Sequence, residues 1–160
     1  MIDFFNSACQ ESPRNDKEFG ILDSNPVAYT TTAKSPSWNA TVKNPSLKEV
    51  VFTAIDGCVI KGEELQGRKR CDGMLTTDNS LFLVELKDQQ KNWQATAVRQ
   101  LIDTIETLVQ NHDVSAFRHK KAFACNRAHQ RFQEIEHELN LEIFRKYRFR
   151  IDAQATIIVI

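Results

Sequence analysis

The spacing of apolar residues predicts that regular structure begins near residue 47. Apolar positions over residues 47–55 recur at helical intervals, and Ser46 followed three residues later by Glu49 matches a capping box. The segment is therefore assigned to a helix, although the β-branched pair Val50 and Val51 also suits a strand.

A hairpin and a central strand are predicted next. Residues 70–76 and 80–88 flank Thr77-Asp78-Asn79, a composition typical of a hairpin turn. The second of these strands is apolar on both faces apart from Glu85 and Lys87, as expected of a strand covered on both sides. A shorter strand is predicted over residues 58–60.

The remaining pattern alternates between helices and strands. Residues 93–111 carry an apolar stripe at helical spacing, formed by Ala97, Leu101, Ile105 and Leu108. A strand is predicted over 121–125, a helix over 132–141, and one or two strands within 149–160. This order predicts an α/β fold with a mixed sheet.

The first 46 residues differ from the rest in composition. They are rich in Ser, Thr and Asn, and they contain all four prolines of the chain, Pro13, Pro26, Pro36 and Pro45. Because proline is typical of turns and extended segments, residues 1–46 are predicted to be a loosely structured N-terminal arm, with one domain over 47–160.

Length and composition exclude several classes of protein. With 160 residues, 41% of them hydrophobic, the chain is long enough for one buried core. A membrane span needs about 20 apolar residues, and the sequence contains no such stretch. The first residues do not resemble a secretory signal. The four cysteines form no CxxC pair, so reduced thiols and a cytoplasmic location are expected.

Charge is balanced overall, with 21 basic and 21 acidic residues, but it is unevenly distributed. Residues 117–131 contain five Lys and Arg and no acidic residue, and residues 145–150 contain four more. Such segments suit an anionic partner, and they equally suit a solvated basic surface.

The candidate chemistry lies on the hairpin. Glu85 and Lys87 are two residues apart and therefore project from the same face of their strand. Pairing through the predicted turn brings Asp72 to the same end of the sheet. Two neighbouring carboxylates repel unless a cation lies between them, and oxygen ligands with open coordination positions suit Mg²⁺. The alternative is a Glu85–Lys87 pair at the solvated end of the strand.

This arrangement resembles the PD-(D/E)XK nuclease superfamily. Asp72 matches the acidic position on the second core strand, and Glu85-Leu86-Lys87 matches the (D/E)XK element on the third. The resemblance covers about residues 47–125, and Arg70-Cys71 replaces the proline before the motif aspartate. It implies an α/β fold in which helices flank a mixed central sheet, with a restriction-endonuclease-like αβββαβ core.

The resemblance also implies a site and an activity. Asp72, Glu85 and the Leu86 carbonyl would hold Mg²⁺ or Mn²⁺, Lys87 would position the attacking water, and Gln94 would support it. A carboxylate on the first helix often completes such sites, with Glu49 the candidate and Glu63 a weaker one.

The implied activity is metal-dependent hydrolysis of phosphodiester bonds, with DNA the expected partner and no membrane. The alternative is a non-catalytic nucleic-acid- or protein-binding module of the same fold. Nucleases of this class commonly act as homodimers, which the resemblance allows here. The basic residues expected to contact nucleic acid are Arg68, Lys69, Arg70, Arg118, Lys120, Lys121, Arg127, Arg131 and Arg148.

Overall fold

A computed structural model describes residues 1–62, 65, 67–89, 91–127 and 135–160. A short 3₁₀ helix, Ser7–Cys9, precedes the first strand. The strands are β1 Glu18–Leu22, β2 Tyr29–Thr31, β3 Ala40–Lys43, β4 Val51–Ala54, β5 Gly73–Thr76, β6 Ser80–Lys87, β7 His119–Asn126, β8 Arg150–Ala153 and β9 Thr156–Ile158. The α-helices are α1 Gln94–Asn111 and α2 His137–Tyr147.

Five strands form the large sheet in the order β4-β5-β6-β7-β8. The strands β4, β5 and β6 are antiparallel neighbours. The turn at residues 77–79 joins β5 directly to β6. The strands β6, β7 and β8 are parallel, and α1 lies in the long connection that a parallel pair requires. The predicted mixed α/β class is therefore confirmed, as are the hairpin and the helix at residues 94–111.

The two faces of β6 pack against different layers. Leu81 and Leu83 join α1 residues such as Leu101 in one hydrophobic cluster. Phe82 and Val84 point the other way, into a cluster shared with a second, smaller sheet. This double coverage explains why a continuous apolar run forms β6.

The prediction of a loosely structured arm over residues 1–46 was wrong. The strands β1, β2 and β3 come from this segment and join the C-terminal β9 in a sheet of order β2-β1-β3-β9. Phe19, Ile21 and Val42 supply its apolar face, and all three are fully buried. The prolines lie outside these strands, so the overall composition concealed a short alternating pattern.

The predicted helix over residues 47–55 was also wrong. Val51–Ala54 forms β4, which pairs with β5, and Val50 forms an isolated bridge with Arg14. Leu47 adopts a left-handed backbone conformation with φ of 53°, which is incompatible with a regular α-helix. The β-branched residues here pack between layers as a strand. From β4 to β7 the succession is βββαβ, without the leading helix of the expected core in this segment.

Two smaller predictions shift. Residues 58–60 lie in a turn closed by an Asp56–Ile60 bridge and do not form a strand. The helix predicted over 132–141 is observed as α2, and residues 132–134 lie outside the described part of the chain. Arg148, with φ of 64°, ends α2 in the left-handed conformation typical of helix C-termini.

The cysteines differ from the expectation of four reduced thiols. Cys9 and Cys58 form a disulfide that ties the N-terminal 3₁₀ helix to the turn after β4. Cys71 and Cys125 are buried free thiols. Disulfides are typical of oxidising compartments, so the expected cytoplasmic location stays a prediction. Within the described ranges, neither α-helix has the length and hydropathy of a membrane span.

Candidate metal and catalytic site

Asp72, Glu85 and Lys87 meet at one end of the large sheet, as predicted. Gly73 pairs with Val84, so the next residues along the two antiparallel strands, Asp72 and Glu85, lie opposite each other. The Lys87 Nζ is 3.2 Å from the Glu85 Oε2. The Leu86 N–H donates to the Asp72 Oδ2 at 2.7 Å. The hairpin register therefore positions all three side chains.

Residues of α1 hold the chain just before Asp72. The Asp103 carboxylate accepts a hydrogen bond from the Lys69 N–H at 3.0 Å. The Thr104 hydroxyl accepts one from the Cys71 N–H at 2.8 Å. Both α1 side chains are buried. Sequence reasoning missed these positioning residues, although two adjacent polar residues on an apolar helix face were a signal.

Glu85 is a buried acid near the end of β6, the middle strand of the large sheet. Only 2% of its surface is exposed, and its Oε1 has no hydrogen-bond partner among the described residues. Leaving a carboxylate oxygen buried without a donor is costly, because the group loses its water without a replacement. A proton or a bound cation would remove that cost.

The protonation of the pair reflects this burial. Burial and, to a smaller extent, the Asp72 charge raise the pKa of Glu85 to about 9, against the opposing effect of Lys87. Burial also raises the pKa of Asp72 to about 6, opposed by its hydrogen bonds with the Leu86 N–H and with Glu85. At neutral pH the two carboxyl groups therefore hold one proton between them.

The oxygen donors fit a hard divalent cation. Asp72 and Glu85 supply two carboxylates, and Glu85 has a free buried oxygen. The described residues contain no cluster of three or more acidic, His or Cys side chains placed to ligate one ion. The two carboxylates suit Mg²⁺, which keeps several waters and binds through one or two carboxylates plus substrate oxygens.

Two further acids, Asp56 and Asp23, lie at this end of the sheet and were not predicted. Asp56 follows β4, and the preceding Ile55 donates its N–H to the Asp72 carbonyl at 3.0 Å. Asp23 follows β1, and both acids raise the pKa of Asp72 through their charge. Assigning β4 to a helix and β1 to a loose arm hid both acids.

Glu49 does not join the site, so this prediction was wrong. It precedes β4 at the hairpin end of the sheet, where Lys48, Thr77 and Asp78 line the same cavity of about 510 Å³. Seven residues separate it from Asp56, which corresponds to about 20 Å along an extended chain. The error follows from the helix assignment, because Glu49 was expected on a first helix beside the site and instead precedes a strand.

Two further residues were predicted to support the site, Gln94 and Glu63. Gln94 is the first residue of α1 and is half-buried, at the end of the sheet where β6 finishes with Lys87. Glu63 lies outside the described residues.

The described basic residues of segment 117–131 lie at two different ends of the large sheet. Because β7 runs parallel to β6, Lys120 and Lys121 pair with residues at the start of β6, at the end far from the site. Arg127 follows Asn126, which pairs with Lys87, and so lies at the site end. The strand carries the charges to opposite ends of the sheet.

At the site end, arginines are paired with acids. Arg127 contacts Asp88 at 2.8 Å, and Arg70 contacts Asp56 at 3.0 Å. Arg68 lies 3.6 Å from Glu106. The Lys69 side chain is exposed.

At the far end, Lys120 donates to the Phe117 carbonyl at 2.7 Å, and the Arg148 guanidinium lies 5.4 Å from the Phe144 ring centroid. Arg118 is exposed there, Lys121 is half-buried, and Arg131 is not among the described residues.

No protein-family model matches this chain, and comparisons with curated proteins and with solved structures find no match. The functional proposal therefore depends on the geometry of Asp72, Glu85 and Lys87.

Proposed function

We propose that the protein is a Mg²⁺- or Mn²⁺-dependent nuclease that hydrolyses phosphodiester bonds, with DNA as the expected substrate. One observation carries the proposal: Glu85 lies buried on a central strand, opposite Asp72 and 3.2 Å from Lys87, and one of its oxygens has no hydrogen-bond partner in the described part of the chain. Two acids and a lysine meeting at a strand end is the arrangement that the PD-(D/E)XK resemblance implies.

Each side chain has a distinct role in this proposal. Asp72 and Glu85, with the Leu86 carbonyl, would hold the cation, which would supply charge stabilisation at the scissile phosphate and a water of lowered pKa. The Leu86 N–H donates to one Asp72 oxygen and so fixes the orientation of this carboxylate. Glu85 restrains the Lys87 ammonium, which positions the attacking water or a phosphate oxygen.

The fold supports the same proposal in part. The succession β4, β5, β6, α1, β7 corresponds to the βββαβ portion of the αβββαβ core, and the two acids lie on its second and third strands. Arg70 and Arg127 lie at the site end, where they would exchange their acidic partners for phosphate oxygens. A homodimer stays a prediction.

Cleavage of plasmid DNA in Mg²⁺ or Mn²⁺ tests the proposal. Wild type should cut, whereas Glu85→Gln and Lys87→Gln should lose about a hundredfold or more of the rate, as expected when a positioned charged group is removed. Glu49→Gln and Lys91→Gln, which alter exposed residues outside the cluster, are the matched controls. Equal cleavage by wild type and Glu85→Gln, or no cleavage by wild type with either metal, would contradict the assignment.

One observation favours a second candidate, a non-catalytic binding module. Asp72, Glu85 and Lys87 already satisfy one another in part, through the shared proton and the contact with Lys87. In such a module the cluster would be purely structural. It would then bind no divalent ion, and Asp72→Ala would leave nucleic-acid affinity unchanged.

A further inference from the structure

The loop between β1 and β2, residues 23–28, contacts the turn that follows β4. A Cβ added to Gly57 would lie 2.3 Å from the Pro26 carbonyl oxygen, so the two backbones touch. Gly57 also has φ of 87°, a conformation that glycine adopts without strain. The smaller sheet thus reaches the end of the large sheet that carries Asp72.

The position of Asp23 in this loop is fixed by a buried side chain. The Asp23 N–H donates to the Asn39 Oδ1 at 2.9 Å, and the Asn39 N–H donates to the Ile21 carbonyl at 3.0 Å. Asn39 is only 5% exposed. The charge of the Asp23 carboxylate raises the pKa of Asp72.

Negative charge exceeds positive charge among the described groups at this end of the sheet. When Glu85 is ionised, four carboxylates (Asp23, Asp56, Asp72 and Glu85) face the two cations Lys87 and Arg70, which interact with them directly or through their charge. These six described groups carry four negative and two positive charges, an excess that one divalent ion would neutralise. The Oε1 of Glu85, which has no hydrogen-bond partner among the described residues, independently indicates where a ligand would bind.

Asp23 and Asp56 act on Asp72 through their charge, whereas its hydrogen bonds among the described residues come from the Leu86 N–H and from Glu85. Carboxylates beyond direct reach of a cation can still accept hydrogen bonds from its waters, and such outer contacts tune affinity.

We propose that Asp23 and Asp56 are positioning residues that accept hydrogen bonds from waters of the cation held by Asp72 and Glu85. This inference rests on the proposed metal site. It makes the N-terminal sheet a part of the site, since that sheet supplies Asp23 and the loop that packs on Gly57.

Titration of the full-length protein with Mn²⁺ alone tests this proposal without any substrate. Asp23→Asn and Asp56→Asn should each raise the Mn²⁺ dissociation constant by about tenfold to a hundredfold. Asp78→Asn, an exposed acid at the hairpin end that contacts Lys48, is the matched control and should change it less than twofold. Asp23→Glu should recover part of the affinity, which a purely structural role does not predict.

Water relaxation on the bound Mn²⁺ separates positioning from ligation. The number of bound waters should stay the same in Asp23→Asn, whereas loss of a direct ligand would add one and would overturn the proposal. Wild-type affinity in both Asn variants would overturn it while leaving the Asp72–Glu85 site intact. Absence of Mn²⁺ binding by wild type would overturn the metal site as well.

Discussion

Replacing Glu85 with glutamine should stabilise the metal-free protein at neutral pH. The pKa of Glu85 is raised from 4.5 to about 9 on folding, so the folded chain retains a proton that the unfolded chain releases. The stability linked to this group is complete below pH 4.5 and is lost as pH rises towards 9. At 1.36 kcal/mol per pH unit, the loss at pH 7 is about 3 kcal/mol. Glutamine is neutral and nearly isosteric, so it removes this loss.

Urea unfolding in a metal chelator, at pH values from 4 to 8.5, measures the effect. The wild-type free energy of unfolding should fall by about 1.4 kcal/mol per pH unit relative to Glu85→Gln, and the two proteins should converge near pH 4.5. Glu49→Gln, at the exposed end of β4, should follow the wild-type curve. If Glu85→Gln is less stable than wild type at pH 7, Glu85 is ionised and stabilised by Lys87, and the reasoning is refuted.

Three other predictions concern the fold and the basic residues. Reducing the Cys9–Cys58 disulfide, which spans 49 residues, should lower the free energy of unfolding by about 4 kcal/mol, and an unchanged melting temperature in dithiothreitol would contradict this. Phe82→Ala, between the two sheets, should cost about 3 to 5 kcal/mol in urea unfolding, and a cost below 1 would mean the sheets do not pack there. Arg127→Ala should reduce the slope of log affinity against log salt for DNA by about one, and Lys121→Ala should not; the reverse order would place DNA at the far end.

Local patterns predicted the parts of the fold that depend on neighbouring residues. An apolar run interrupted only by Glu85 and Lys87 identified β6, and the stripe ending at Leu108 identified α1. The hairpin turn sets the register of β5 and β6, and strand alternation sets the face on which each side chain lies. These two local rules predicted that Asp72 meets Glu85.

Distant pairing accounts for what the sequence could not predict. The small sheet depends on β3 pairing with β9, which is more than a hundred residues away, and no local pattern shows such a contact. β4 is a strand because β5 pairs with it, which overrides the helical spacing of its apolar residues. Without these two elements, Asp23 and Asp56 could not be placed near Asp72.

The distribution of basic residues along the sequence also failed to predict their distribution over the surface. Lys120 lies near the start of the eight-residue strand β7 and Arg127 directly follows its end, so charges that are close in sequence lie at opposite ends of the sheet. The disulfide was missed because cysteines 49 residues apart give no signal of pairing.

Calorimetric titration of Mn²⁺ at pH 7, in two buffers with different ionisation enthalpies, tests the central claim most directly. Asp72 and Glu85 share one proton at this pH, and a cation must displace it. Wild type should bind one ion per chain and release about one proton, whereas the double variant Asp72→Asn/Glu85→Gln should bind none. Binding of equal affinity by both proteins, or no binding by wild type, would contradict the assignment of these two carboxylates as a metal site.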